Sequence, residues 1–344
     1  MKKIVSFILF FSILLISVTS CADQQKLREK NIYAMDTVIT LRLYGTSADV
    51  NSAAAKCEKI IKNIEDILSR TVSDSECSAL NGDTDALYYP DVVFYDTISK
   101  AIEIAEITDG AYDPTVATLI DLWAINDPAV TEVPTEEKIN DALSHIGYDK
   151  LTVEENKIVK SDINTKIDLG SIGKGYACEK VIEYLSATEL GYGLVSFGGN
   201  VSVFGLKPGG EKFTIAIRDP FVQTDVVGNI SIDSGFVSVS GSYERFKEID
   251  GEIYHHIFDL SNGYPVNNGL VSVAVISKNG MEADALSTAL FVLGLDGGYD
   301  LYISEKYDFE AIFITENKDI YITEGLSDNF ILTSDDYVIK NFEN

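Results

Sequence analysis

From residue 151 onward the chain is written mainly in short runs of alternating apolar and polar residues, and this period-two pattern restricts its fold more than any other feature. Strands are expected over 151–159, 193–204, 213–218, 229–240, 254–259 and 271–277, with a closing hairpin over 309–323 around Asn317-Lys318-Asp319. Helical spacing interrupts them at 174–186 and 281–293, with a further short helix expected at 299–306. The first half reads differently. A strand is expected over 32–43, with Tyr33, Met35, Thr37, Ile39 and Leu41 on one side. Val50, Ala54, Cys57, Ile61, Ile64 and Leu68 then recur at helical spacing, up to a stop near Ser69. A second helix is expected over 92–107, ending at Asp109-Gly110, and a short one carries Ile139, Leu143 and Ile146. Strands and helices do not alternate as βαβ units, so the expected class is α+β, with mixed, mainly antiparallel strands and packed helices. No repeat, low-complexity tract or linker divides residues 31–344, which read as one domain, with a bilobed form left open.

The chain has 344 residues, with 27 Lys and Arg against 54 Asp and Glu, a formal charge of −27. Such a field repels phosphate backbones, which argues against nucleic-acid binding through a basic face. An anionic small ligand then needs a locally placed cation or metal. The first twenty residues stand apart from the fold. Lys2 and Lys3 precede a nearly apolar run over 4–16, and Val18-Thr19-Ser20 leads into Cys21. The run is short for a bilayer span. The pattern resembles a bacterial lipobox, with residues 1–20 as signal peptide, Cys21 lipidated and 21–30 a flexible tether. The expected location is the cell membrane, lipid-anchored on its extracytoplasmic face. Cys57, Cys77 and Cys178 form no CxxC and no Cys/His cluster, which leaves zinc and iron–sulfur sites unsupported. Export would permit a Cys57–Cys77 disulfide, and buried packing thiols are the alternative.

Four segments carry candidate chemistry. In 167–176 three glycines fall within six residues, Gly170, Gly173 and Gly175, with Lys174 among them and a helical pattern directly after. Free backbone N–H groups and a lysine at a helix N-terminus suit an anion. Gly175 follows the lysine where a P-loop needs Ser or Thr, so this is not a Walker motif. In 282–290, Asp284 and Thr288 are four apart, placing a carboxylate and a hydroxyl on one face, hard donors of the kind Mg²⁺ takes when phosphate completes its shell. His255 and His256 sit on an expected strand and point to opposite faces, so only one can serve a given site. Asp109 to Val116 is a polar turn carrying Tyr112, an aromatic that could stack on a flat ring. Each segment also has a plain structural meaning: a tight turn, a helix cap, packing histidines, an ordinary loop.

Taken in order, these segments resemble the ApbE family of FAD:protein FMN transferases. The resemblance runs from about residue 35 to 294 and is carried by Met35-Asp36-Thr37, 110–116, 168–176, Gly198-Gly199-Asn200, 217–220, 255–259 and 283–290. It implies a Mg²⁺-dependent enzyme that cleaves FAD at its pyrophosphate, transfers FMN to a threonine hydroxyl of an exported acceptor flavoprotein and releases AMP. The implied acceptors are subunits of membrane electron-transfer complexes with a Ser/Thr-Gly-Ala-Thr type motif, which this chain lacks. Residue by residue, the resemblance places Met35, Thr71, Ala111, Tyr112, Asp113 and Phe258 around the flavin, with Asp168 and Lys174 also on the FAD. Ser171, Asp284, Ser287 and Thr288 would surround the metal, and His256 would take the acceptor's proton. The chain departs from the family pattern at Asp259-Leu260 and at Ala117-Thr118. Three other activities stay open on the sequence: FAD hydrolysis to FMN and AMP, non-catalytic FAD carriage, and binding of another solute.

Overall fold

The structure, a computed structural model, describes residues 24–82, 87–154 and 157–342. The expected signal peptide and Cys21 lie outside the described residues. A nine-stranded sheet forms the middle layer: β1 (Lys26–Ala34), β2 (Thr37–Gly45), β3 (Tyr192–Phe197), β4 (Asn200–Gly205), β5 (Phe236–Gly241), β6 (Leu270–Ser277), β7 (Phe309–Thr315), β8 (Asp319–Ile322) and β9 (Val338–Lys340). Their order in space is their order in the chain. Every neighbouring pair is antiparallel except β8 and β9.

Seven helices are described: α1 (Ser47–Leu68), α2 (Glu76–Gly82), α3 (Val92–Ile107), α4 (Ala117–Trp123), α5 (Glu136–Ser144), α6 (Gly173–Ser186) and α7 (Gly280–Ile303). One face of the sheet packs on α1, α6 and α7, with α3 packed on α1 and α7 behind them, in the largest apolar cluster. The other face packs on a three-stranded sheet of Phe213–Arg218, Val226–Ile232 and Phe330–Leu332. Strands β6 and β7 therefore bury side chains both ways: Val273, Val275 and Phe313 face the helices, while Ala274, Ile312 and Ile314 face the small sheet. A smaller cluster around Trp123 joins α4 and α5 to Phe258 and Tyr264.

The α+β class holds, and several boundaries differ from expectation. The strand expected at 32–43 is the turn of a hairpin whose first arm begins at Lys26, so the expected tether over 21–30 loses its last five residues to β1. Met35 and Asp36 make the two-residue turn at φ 52° and 55°. Hairpin turns of this hand normally advertise themselves with Asn-Gly or Asp-Gly, and here no glycine does so. The runs 151–159, 193–204 and 229–240 likewise each fold as two strands, at Leu151–Glu154 and Lys157–Lys160, at β3 and β4, and at Val226–Ile232 and β5. Alternation continues through a tight turn, so period alone does not reveal it. Helices α2 and α4 were not expected, and the helices expected at 281–293 and 299–306 are one element broken at Gly294. Cys57, Cys77 and Cys178 are buried free thiols, which answers the question of a Cys57–Cys77 bond. Burial pushes the Cys57 thiol up to about 12, and Cys77 and Cys178 also upward.

Candidate active site

Helices α6 and α7 approach each other through two glycines. A Cβ on Gly175 would fall 2.1 Å from the Gly280 carbonyl oxygen, and one on Gly280 would fall 2.5 Å from that of Gly175. Only hydrogen at both positions lets the backbones meet. This contact sets Asp284, in the second turn of α7, against the first turn of α6. No side chain of its own caps α6. Instead Gly175 N–H donates to Asp284 Oδ2 at 2.8 Å, so a carboxylate from another helix meets the positive end of the α6 dipole. The cap foreseen for Asp284 is real, but it serves α6 rather than α7.

The second carboxylate oxygen remains available. Ser238 Oγ lies 3.3 Å from Asp284 Oδ1 and 2.7 Å from Asn200 Oδ1, and its single proton serves the nearer acceptor. Asn200 is 5% exposed and its Nδ2 has no partner. With the amide turned over, Nδ2 donates to Ser238, Ser238 donates to Asp284, and the amide oxygen is the atom left over. The buried Tyr112 hydroxyl is similarly without a hydrogen bond of proper geometry, beside Ser171 and in the fields of Asp284 and Asp168. Of the three partnerless buried side-chain atoms among the described residues, two thus surround Asp284. Ser240 Oγ lies 2.7 Å from Ser287 Oγ and 3.3 Å from Thr288 Oγ1.

These donors suit Mg²⁺. Among the described residues no cluster of three or more His, Cys, Asp or Glu is placed to hold a metal. Mg²⁺ does not require one, since it binds through one or two carboxylates and takes its other oxygens from phosphate and water. Asp284 and Thr288, with Ser171 near the orphaned Tyr112 hydroxyl, offer hard oxygens of this kind. Ser287 is fully buried beside them, its hydroxyl donating to the Asp284 carbonyl at 2.8 Å and its oxygen left to accept from Ser240 at 2.7 Å.

The glycine loop is braced from below. Asp168 Oδ1 accepts from Gly170 N–H at 2.7 Å, and its other oxygen lies 3.3 Å from Arg70 Nε. Arg70 also pairs with Asp121. Lys174 Nζ folds back to donate to the Gly170 carbonyl at 2.6 Å. Met35 reaches the same loop, its Cε 3.8 Å from where a Cβ on Gly173 would stand, and its N–H donates to Glu65 at 2.6 Å. Thr71, beside Arg70, is exposed and bonded only to Ser69. Met35, Thr71, Asp168 and Lys174 therefore gather around the loop.

Three of the other expected flavin contacts are turned elsewhere. Tyr112 is 1% exposed within the main core, so its ring has no free face to stack. Asp113 is buried, accepting from Thr115 N–H and Oγ1 and from Tyr148 N–H at 2.6–2.8 Å, so it ties two turns together; burial raises its carboxyl, and these bonds oppose the rise. Phe258 is 5% exposed and packs on Trp123. Ala111 is half-buried next to Tyr112.

The two histidines divide as their opposite faces require. His255 points into the core: its Nε2 bonds the Val266 carbonyl at 2.8 Å, its Nδ1 accepts from Ile257 N–H at 3.2 Å, and its ring meets Phe291 edge-on. His256, half-buried, lies on the opposite side. Its Nδ1 donates to the Arg245 carbonyl at 3.2 Å, which assigns the tautomer and leaves Nε2 as a free acceptor. Burial pushes its pKa down to about 4, the Arg245 carbonyl opposing and the Arg245 and Lys174 charges assisting. Burial also raises the Glu244 carboxyl, with the Lys174 charge opposing. Sequence reasoning missed Ser238, Ser240, Arg70 and Glu244, and it quoted Asn200 within Gly198-Gly199-Asn200 without giving it a role at the site. The alternation of Ser238 and Ser240 on β5 was the one available signal.

Residues 35–313 match the ApbE family. A Vibrio cholerae serotype O1 protein named FAD:protein FMN transferase is 32% identical over 277 residues, covering 79% of this chain and 82% of its own length. A Treponema pallidum protein of the same name is 28% identical and covers 95% of this chain and 96% of itself. Among solved structures, the ApbE protein of Thermotoga maritima superposes with a TM-score of 0.81 at 31% identity, over 87% of this chain and 98% of its own. The flavin transferase ApbE of V. cholerae superposes at 0.80 and 25% identity, over 89% of this chain and 100% of its own.

Proposed function

The chain belongs to the ApbE family, and from that premise we propose that it is an FAD:protein FMN transferase that, with Mg²⁺, moves FMN from FAD to a threonine hydroxyl of an exported acceptor and releases AMP. The observation that carries this reading is the state of Asp284: one carboxylate oxygen is held by Gly175 N–H, while the other is left open among hydroxyls and two partnerless polar atoms.

FAD would lie on the glycine loop, where Lys174 supplies a cation in a protein that otherwise repels anions. Asp284, Thr288 and Ser171 would hold the metal, whose charge would offset that of the pyrophosphate. The threonine oxygen attacks the FMN phosphorus, the bond to AMP breaks, and the threonine proton passes to Nε2 of His256. Burial and the neighbouring cations keep that imidazole neutral, as a base must be.

For location we propose a lipid anchor at Cys21, on the strength of Val18-Thr19-Ser20-Cys21. Among the described residues no helix is long and apolar enough to cross a membrane.

Flavin fluorescence tests the reaction, since the adenine of FAD quenches its flavin. Protein, FAD and an acceptor carrying Ser-Gly-Ala-Thr should brighten only with Mg²⁺ and leave a fluorescent acceptor band, and Asp284→Ala should abolish both. Brightening without a band identifies an FAD pyrophosphatase. Bound FAD that never brightens identifies a carrier.

A further inference from the structure

A cavity of about 500 Å³ opens between the loop after α4 and residues 244–248, among them Arg245, whose carbonyl accepts from His256 N–H. Its lining runs without a gap through Glu244 and Arg245, which precede the strand, and Phe246, Lys247 and Glu248 of the strand itself. Side chains of a strand alternate between faces, so a run of consecutive lining residues means that the strand presents its edge.

The register says which main-chain groups face that edge. Among the described residues, Phe246–Ile249 and Glu252–His255 form a hairpin with no third strand. Asp250 and Gly251, at φ 53° and 87°, make its two-residue turn. In such a hairpin the pair closing the turn, Ile249 and Glu252, exchanges hydrogen bonds, and every second pair after it does the same. Lys247 with Tyr254 and Arg245 with His256 are therefore bonded inward, as the 3.2 Å bond from His256 N–H to the Arg245 carbonyl bears out. The N–H and C=O of Phe246 and Glu248 point the other way, to the outer edge of the hairpin.

The opposite wall is held in place. Lys247 Nζ lies 2.9 Å from the carbonyls of Ala124 and Val130 and 3.1 Å from that of Asp127. An ammonium has three N–H donors, and this one gives all three to the loop. The groove is thus preformed, with Phe246, half exposed, at its lip.

We propose that the free edge of Phe246–Ile249 receives the acceptor polypeptide as an added strand and leads its hydroxyl past Arg245 to His256. This rests on the flavin-transfer reading, in which the nucleophile arrives on another protein. Main-chain pairing supplies affinity with little demand on sequence, which fits a transferase that must read only a short motif. An unpaired edge is a standing risk of aggregation unless a partner uses it.

The test uses the intact protein and a synthetic peptide carrying Ser-Gly-Ala-Thr, following flavin transfer and, separately, FAD binding. Peptides N-methylated at single positions should divide into two alternating sets, one with acceptor KM raised about tenfold and one unchanged, because only one set faces the edge. Glu248→Pro removes an outward N–H without touching the hairpin's own bonds. It should raise the acceptor KM by a similar factor and leave FAD affinity as it was. Uniform behaviour of the methylated peptides, or an unchanged KM in Glu248→Pro, overturns the added strand. No labelling of any peptide by unmodified protein with FAD bound overturns the flavin-transfer reading itself, and the acceptor edge with it.

Discussion

Replacing Gly175 with alanine probes the contact on which the whole site depends. The new Cβ would stand 2.1 Å from the Gly280 carbonyl oxygen and 2.7 Å from Asp284 Cβ. A carbon and a carbonyl oxygen need more than about 3 Å, and both obstacles are backbone or its first side-chain atom, so α6 and α7 must part by about 1 Å. That movement stretches the 2.8 Å bond from Gly175 N–H to Asp284 beyond useful range. Losing a bond to a charged group removes about 1.5–3 kcal/mol, and overpacking costs about 1–3 kcal/mol. Alanine recovers about 1 kcal/mol of helix propensity, which leaves a net loss of about 1.5–5 kcal/mol. A 1 Å displacement of a positioning carboxylate should also slow FAD cleavage about 100-fold. The assay is a urea midpoint together with the Mg²⁺-dependent fluorescence rate. Gly82→Ala is the control, because a Cβ there meets nothing within 4 Å. If Gly175→Ala unfolds at the same urea concentration as Gly82→Ala and keeps its rate, the two-glycine contact does not position Asp284.

Three further outcomes follow. A base must be unprotonated, and the His256 pKa lies at about 4 rather than the usual 6.5, so transfer should be flat from pH 8 to about 5 and fall tenfold per unit below about 4; an acid limb centred near 6.5 in kcat/KM would show that His256 is solvated like a free imidazole. His256→Ala should lower transfer about 10²–10⁴-fold with FAD affinity unchanged in a fluorescence titration, and equal losses in both would remove it from proton transfer. Lys247→Met strips the donors from three carbonyls of the loop after α4, so cleavage by a non-specific protease within 124–131 should quicken at least tenfold, while an unchanged cleavage pattern would mean the loop stands without it.

The element types were largely written in the chain, because apolar spacing is a local record of which face is buried. Helices at 47–68, 92–107 and 173–186 and strands at 213–218 and 270–277 fall where periodicity places them. The motifs were legible for the same reason: Gly170 to Gly175, Asp284 with Thr288, and the histidine pair are contiguous in sequence. Turns without glycine were not legible. Met35 and Asp36 adopt left-handed backbone only because β1 and β2 pair on either side of them.

What only tertiary structure decided is which groups spend their bonding capacity on the fold and which keep it for a ligand. Tyr112 and Phe258 read as aromatics available to a flavin, yet packing took their faces. Asp113 reads as a flavin contact and is consumed by two turns, whereas Asp284 reads as a metal ligand or a cap for its own helix, and the cap it makes joins α6 to α7. His255 and His256 are equivalent in sequence. The strand's alternation sends one into the core and the other to the Arg245 carbonyl, which leaves its second nitrogen free. Local pattern records burial, but free valence depends on partners over a hundred residues away, such as Asp284 for Gly175, and those become neighbours only when the sheet and its helices assemble.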